Sequence, residues 1–186
     1  MKKMLVVFTE KCLGCRSCEL ACAVEHSGSG DLIKALEEDP LPQYRVRVET
    51  AAGLTIPLQC RHCEDAPCVA VCPTRALEKP DPDSPVILKE ELCIGCKWCI
   101  LVCPFGVIKI RRDGKGIIKC DFCQRRMEEG KQPACVEACP TGALTFVEIE
   151  KIGKQKRKEF LVTLARSENQ AKKVNRDEPA NSGESG

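Results

Sequence analysis

Cys93-Ile94-Gly95-Cys96-Lys97-Trp98-Cys99-Ile100-Leu101-Val102-Cys103-Pro104 is the stretch on which the reading of the whole chain turns. Its spacing, C-x2-C-x2-C-x3-C-P, is the run whose thiolates wrap a 4Fe-4S cubane, and few short motifs are as specific. Three cysteines separated by pairs of residues fit one tight loop, which lays three sulfurs against three irons of a single cluster. Gly95 lets the backbone turn closely around inorganic sulfide and aim N–H groups at it. The fourth cysteine follows on a short helical turn that Pro104 stops. Where a protein carries two clusters, this fourth cysteine ligates the other one, so a single motif implies a second.

Working outward, the sequence holds four quartets. Cys12, Cys15, Cys18 and Cys22 repeat the same spacing, with Ala23 in place of the proline. Cys60, Cys63, Cys68 and Cys72 widen the middle gap but keep the C-x3-C-P ending at Pro73. Cys120 and Cys123 are followed, after eleven residues, by Cys135, Cys139 and Pro140. The first and third quartets share C-x-G-C. The second and fourth share C-x2-C, a spacer and a close match between Pro67–Leu77 (PCVAVCPTRAL) and Ala134–Leu144 (ACVEACPTGAL). A duplicated two-quartet unit is the natural reading, with the proline-rich loop Glu78–Pro85 near its seam.

Bulk composition agrees. A length of 186 residues makes one domain or two small joined ones. Sixteen cysteines against one Trp, one Tyr and five Phe leave little aromatic material for a core, so metal–ligand bonds are expected to hold much of the fold. The apolar run Met4–Phe8 is too short for a signal peptide, and no stretch reaches membrane-spanning length; a cytoplasmic location is expected, where clustered thiols serve metals more often than disulfides. Sixteen thiolates around four oxidised clusters contribute about −2 per site, which turns the formal +2 into about −6. Lys11, Arg16, Arg61, Lys97, Lys119, Arg125 and Arg126 adjoin cysteines and are placed to offset that charge. They are too dispersed, and too poor in interleaved aromatics, for a nucleic-acid surface.

Between the quartets the pattern predicts an α+β fold of short hairpins and short helices. Met4–Phe8 reads as a strand, and Leu32–Glu38 as two helical turns within a surface excursion. Tyr44–Glu49 alternates and pairs with Leu54–Leu58 across an Ala-Ala-Gly turn. Val86–Leu88, Val107–Arg111 and Ala143–Ile149 read as further strands, and Gln124–Ala134 as a helical turn or two ending at Gly130. Beyond Glu150 comes a basic extension. In it, Phe160–Leu164 reads as a strand packed on the domain, a docking segment for a partner, or a run without persistent structure; Asn169–Gly186 is expected to be disordered.

Other chemistry fits less well. Zinc takes cysteine quartets, and a zinc-stabilised interaction module is the rival reading, but tetrahedral zinc has no use for C-x3-C-P three times over. A disulfide framework lacks a secretory context. His62 lies inside a complete quartet, so it reads as a donor to the cluster's surroundings or a plain exposed residue, not as a Rieske ligand. Trp98 reads as packing beside its cluster. No phosphate-cradling loop and no nucleophile–base constellation is present, so no catalytic residue is assigned.

The order Cys12-x-Gly-Cys15, Cys60-Arg-His-Cys63-Glu-Asp-Ala-Pro-Cys68, Cys93-Ile-Gly-Cys96, then Cys120-Asp-Phe-Cys123 with a long insertion before Cys135, resembles the four-cluster electron-transfer subunits of the dimethyl sulfoxide reductase type. The likeness covers residues 4 to 149. It implies four 4Fe-4S clusters and two interleaved bacterial-ferredoxin-like modules within residues 1–150, the inner one, about 54–111, lying between the halves of the outer. It also implies the ligand sets: Cys12, Cys15, Cys18 with Cys139; Cys120, Cys123, Cys135 with Cys22; Cys60, Cys63, Cys68 with Cys103; Cys93, Cys96, Cys99 with Cys72. Some relatives replace a third-quartet cysteine by Trp and hold a three-iron cluster; here Trp98 precedes an intact Cys99, so four cubanes are expected. The implied role is non-catalytic. Single electrons would pass between a catalytic oxidoreductase subunit (a molybdenum- or tungsten-pterin enzyme, carbon monoxide dehydrogenase or hydrogenase) and a second carrier. Stacking of copies end to end into a longer wire is a related expectation.

Overall fold

The computed structural model describes residues 3–177, with side chains as far as residue 168. These residues divide into two compact units at the Phe146–Val147 bond.

The first unit is α+β and built from small pieces. Strand β1 (Lys3–Val7) and a 3-10 turn lead to helix α1 (Ser17–Glu25), and a single turn, α2 (Leu32–Ala35), follows. Asp31 caps that turn, its carboxylate accepting from the N–H groups of Ile33 and Lys34 at 3.0 Å. Strands β2 (Arg47–Ala51) and β3 (Leu54–Leu58) form the expected hairpin, with Val48 opposite Pro57 and Ala51 opposite Leu54. Its two-residue turn, Ala52-Gly53, has positive φ at both positions (50° and 75°), the geometry that matches strand twist. The expected strand start at Tyr44 is lost: the Arg45 N–H turns away to the sulfur of Cys22, 3.1 Å distant, so pairing begins at Arg47.

Helix α3 (Pro67–Ala70) precedes β4 (Leu77–Glu78), which pairs with β5 (Ile87–Leu88). After a second 3-10 turn comes α4 (Trp98–Val102), then the pair β6 (Lys109–Ile110) and β7 (Ile117–Ile118). Helices α5 (Gln124–Glu128) and α6 (Ala134–Glu137) fill the long gap of the fourth quartet, and β8 (Leu144–Glu148) pairs with β1. Helix α1 packs on α6, and α3 on α4. Arg126 binds Glu25 at 3.0 Å and also Glu137, and Arg125 lies 3.4 Å from Glu25. These two arginines answer carboxylates on α1 and α6, and the charge of Cys123 also acts on Arg126.

Three small apolar cores result, and cysteines belong to each. Leu5, Val46, Val48, Leu144 and Phe146 close around Cys18, Cys22 and Cys135. Leu77, Val86, Ile108 and Ile117 close around Cys68 and Cys99. Between them, Cys60, Val107 and Cys120 pack with Leu58, Cys103 and Phe122.

The second unit contains helix α7, Ile149–Asp177. The run Phe160–Leu164 is therefore helical, which corrects its reading as a strand, and the polar stretch is helical as far as Asp177; residues 178–186 lie outside the described part. Four apolar residues and a threonine could not impose strand geometry on a segment flanked mostly by Lys, Gln, Glu, Arg and Ala, all strong helix formers. Within this unit, Gln155 bonds Glu159 and Lys151 pairs with Glu148. Phe160 and Leu161 are both 63% exposed. Among the described residues, no helix is long and apolar enough to cross a membrane.

Candidate metal centres

No two of the sixteen cysteines are joined as a disulfide. Cys12, Cys15 and Cys18 line one cavity with Cys139, walled by Leu13, Val48 and Pro57. Cys93, Cys96 and Cys99 line another with Cys72, walled by Trp98 and Ile117. The remaining eight thiols fall into two sets by the charges that act on them. Burial pushes up the thiols of Cys120, Cys123 (to about 12) and Cys135, and a charge on Cys22 pushes each further, so these four lie within electrostatic reach of one another. Burial also raises Cys60 and Cys68; Cys103 and Cys63 add to it at Cys60, and Cys60 and Cys103 do so at Cys68.

The groups form a row. Cys18 and Cys135 share a core, joining the Cys12 group to the Cys22 group. Cys60 and Cys120 share the middle core, joining the Cys22 group to the Cys60 group. Cys68 and Cys99 share the third, joining the Cys60 group to the Cys72 group. Cys15 and Cys96, one in each end group, are exposed.

Local backbone geometry prepares the thiols. Arg16 and Lys97, just before α1 and α4, hold left-handed φ values of 60° and 67°, a strained conformation for residues other than glycine that closes the loop over three sulfurs. His62 and Phe122 do the same in the other two quartets (φ 47° and 60°), turning their N–H groups back to the sulfurs of Cys60 and Cys120 at 3.4 and 3.5 Å. Donors of this kind favour a negatively charged sulfur. At Cys72 and Cys139 the thiol is lowered although burial opposes it, because the N–H groups of Leu77 and Leu144 and the hydroxyls of Thr74 and Thr141 outweigh burial. Cys15 is lowered by the Ser17 hydroxyl.

An iron–sulfur cluster fits these surroundings on two counts. Eight cysteines are buried, and those whose acidity shifts most, such as Cys18 (about 12) and Cys99 (about 11), are raised mainly by burial. Thiolates there need a cationic core that takes several at once. The second count is an orphaned donor. His62, 6% exposed, accepts from the Val86 N–H through Nδ1 at 2.9 Å, so its proton sits on Nε2, a buried atom with no partner. Burial, then the charges of Lys119 and Lys79, hold this ring neutral, with its pKa at about 2. A sulfide or thiolate acceptor at the Cys60 group would satisfy that N–H. His62 is thus no exposed residue, and Trp98, at 56% exposure, is only half covered by its cavity.

Sequence reasoning passed over His26. It follows Cys22 by four residues, caps α1, and brings Nε2 to 4.0 Å from Cys123 Sγ and 3.5 Å from Asp121. Burial, then Arg45, lowers its pKa to about 4. The spacing Cys22-x3-His26 at a helix end was the only signal for it.

The site and fold have known counterparts. Residues 51–149 match the 4Fe-4S dicluster domain family. An iron-sulfur protein of Rhodospirillum rubrum is 42% identical over 81% of this chain and 85% of its own length. Electron transport protein HydN of Escherichia coli K12 is 37% identical over 85% of this chain and 97% of its own length. A component of the anaerobic dimethyl sulfoxide reductase of the same strain is 34% identical over 79% of this chain and 74% of its own length. This is a protein built to hold 4Fe-4S clusters and transfer electrons. More closely, it belongs to the 4Fe-4S dicluster family and to the iron–sulfur subunits of the dimethyl sulfoxide reductase type.

Proposed function

We propose that each of the four thiol groups holds one 4Fe-4S cluster, and that the protein is a non-catalytic conduit between a catalytic oxidoreductase subunit and a second redox partner. The observation that carries this is the row of four cysteine groups, each joined to the next through a shared core. A bound cluster of this kind takes up and releases one electron at a time. The protein's part is to fix the order of the sites, exclude water from the middle two and aim N–H donors at the sulfurs. The ends are where partners approach: Cys15 and Cys96 are exposed there, beside Leu13 (74% exposed) and Ile94 (66%). The dimethyl sulfoxide reductase relative favours the catalytic subunit of an oxidoreductase complex as one partner. A cytoplasmic location suits sixteen unpaired thiols.

The groups correspond to two interleaved ferredoxin-like modules, the outer spanning the first and fourth quartets and the inner the second and third. Pairing of β1 with β8 around the intervening hairpins supports that arrangement.

Anaerobically purified protein is expected to contain about sixteen iron and sixteen acid-labile sulfide per molecule, four of each per cubane. Zinc without sulfide would instead favour the interaction-module reading. Ligand assignment has its own test: Cys103→Ala is expected to disturb the cluster of the Cys60 group more than that of the third quartet. Loss of the third-quartet cluster alone, seen by spectroscopy and in a structure of the variant, would refute the assignment.

A further inference from the structure

At the centre of the row the two halves of the duplicated unit face each other through equivalent residues. His62 and Phe122 each lie two residues after the first cysteine of their quartet, and their rings stack with centroids 3.8 Å apart. The residues just before those cysteines, Gln59 and Lys119, are also equivalent, and both are buried, at 1% and 2% exposure. Here the halves differ. One presents a neutral amide, the other a cation.

Lys119 is an unusual cation. Its Nζ donates to the carbonyls of Val86 at 2.5 Å and Cys120 at 2.6 Å, and no carboxylate is among these partners. A buried ammonium satisfied by carbonyl dipoles is strongly unfavourable unless negative charge lies near. Cysteine sites flank it on both sides: Lys119 is bonded to the carbonyl of Cys120, and Val86, its other partner, packs with Cys68 in one core and is bonded to His62 of the Cys60 quartet. Two of these three residues, Cys68 and His62, lead to the Cys60 group. The ammonium is also held in place, because Val86, 1% exposed, accepts from Lys119 through its carbonyl while its N–H donates to His62.

Adding an electron to a cluster adds negative charge, which burial disfavours and a nearby fixed cation favours. We propose that Lys119 is a positioning residue for electron transfer: its fixed charge raises the reduction potential of the cluster at the Cys60 group above that of its neighbour at the Cys22 group. The duplicated unit is thereby electrically asymmetric at its midpoint. This inference rests on the reading of the four groups as cluster sites.

Lys119→Gln tests it by installing the residue that stands at the equivalent position. Holoprotein is titrated potentiometrically and followed by EPR, with the buried middle clusters told from the end clusters by their weak response to an aqueous dysprosium chelate. The expected result is a tenfold weaker reduction equilibrium for one middle cluster, about 59 mV for a one-electron couple, with a smaller change at the other and none at the ends. Lys119→Arg, which keeps the charge, stays within about twofold of the parent. Unchanged potentials, or an equal shift of all four signals, with iron and sulfide intact, would overturn the tuning role while leaving the conduit standing. If Lys119→Gln sheds iron, the double variant Gln59→Lys/Lys119→Gln is titrated in its place. The order of the two middle potentials then reverses, and an unchanged order overturns the proposal. Loss of iron in Lys119→Arg as well marks a packing residue only and also overturns it. A parent protein without iron and sulfide removes both readings together.

Discussion

Stripping the iron with a chelator under oxidising conditions is expected to unfold residues 3–146 as one body. The reason lies in what the cores contain. Of the twenty-three buried apolar residues among those described, eight are cysteines, and each of the three cores is closed around them. Little else would hold the unit: β4, β5, β6 and β7 are two residues long, and several helices are single turns. Strand pairs of that size are not stable by themselves in water. Structural metal sites in small domains contribute on the order of 10 kcal/mol to folding, comparable to the whole stability of an ordinary domain. Hydrogen exchange is the measurement. Amides of the β2–β3 hairpin and of α1 are expected to lose protection together as iron and sulfide fall to zero; a hairpin still protected in the iron-free protein would contradict this.

The second large effect is steric. Gly95 has φ +67°, and a Cβ added there would stand 2.4 Å from the carbonyl oxygen of Lys115 and 3.1 Å from its carbon. Both atoms are backbone, in the turn joining β6 to β7, so the turn itself must move. Left-handed strain of about 1–2 kcal/mol adds to overpacking of about 1–3 kcal/mol. Gly95→Ala is therefore expected to cost about 3 kcal/mol and to release about a quarter of the iron, that of the Cys72 group. Gly14 is the matched control. It has the same φ, but the nearest atom is the methyl of Thr55 at 3.2 Å, the end of a side chain that can rotate aside. Gly14→Ala is expected to cost about 1–2 kcal/mol and to keep its iron. Thermal melts and iron analysis of the two variants decide the matter, and equal losses would remove the steric argument.

That comparison also shows where sequence reading stopped. The spacing around Gly95 points to a close turn around inorganic sulfide; the close approach of another turn of backbone, twenty residues on, is set by the fold and has no sign in that spacing. Features set by local chemistry were legible. The four quartets, the Ala52-Gly53 hairpin, the short helix stopped at Pro104 and the helical insertion ending at Gly130 all follow from spacing, turn residues and proline. Features set by tertiary approach were not. Arg125 and Arg126 adjoin Cys123 in the sequence, and only the fold brings Glu25 on α1 to both. The Arg45 N–H reaches Cys22 across twenty-three residues, and no periodicity announces it. Lys119 was one of seven cations beside cysteines; only its burial and its two carbonyl partners set it apart from the rest. In α7, the helix formers around Phe160–Leu164 outweigh that short apolar run.

The pairing of β1 with β8 carries a consequence for biosynthesis. Strand β1 must wait for β8 before it has a neighbour, while β2–β3, β4–β5 and β6–β7 close within short stretches of nascent polypeptide. Short loops close at small entropic cost and long ones later. Assembly therefore runs from the middle outward, and Cys12, Cys15 and Cys18 stay open to oxidation until Cys139 and β8 have been made. A metal site that needs Cys139 beside Cys12, Cys15 and Cys18 is therefore complete only after the whole unit has been made.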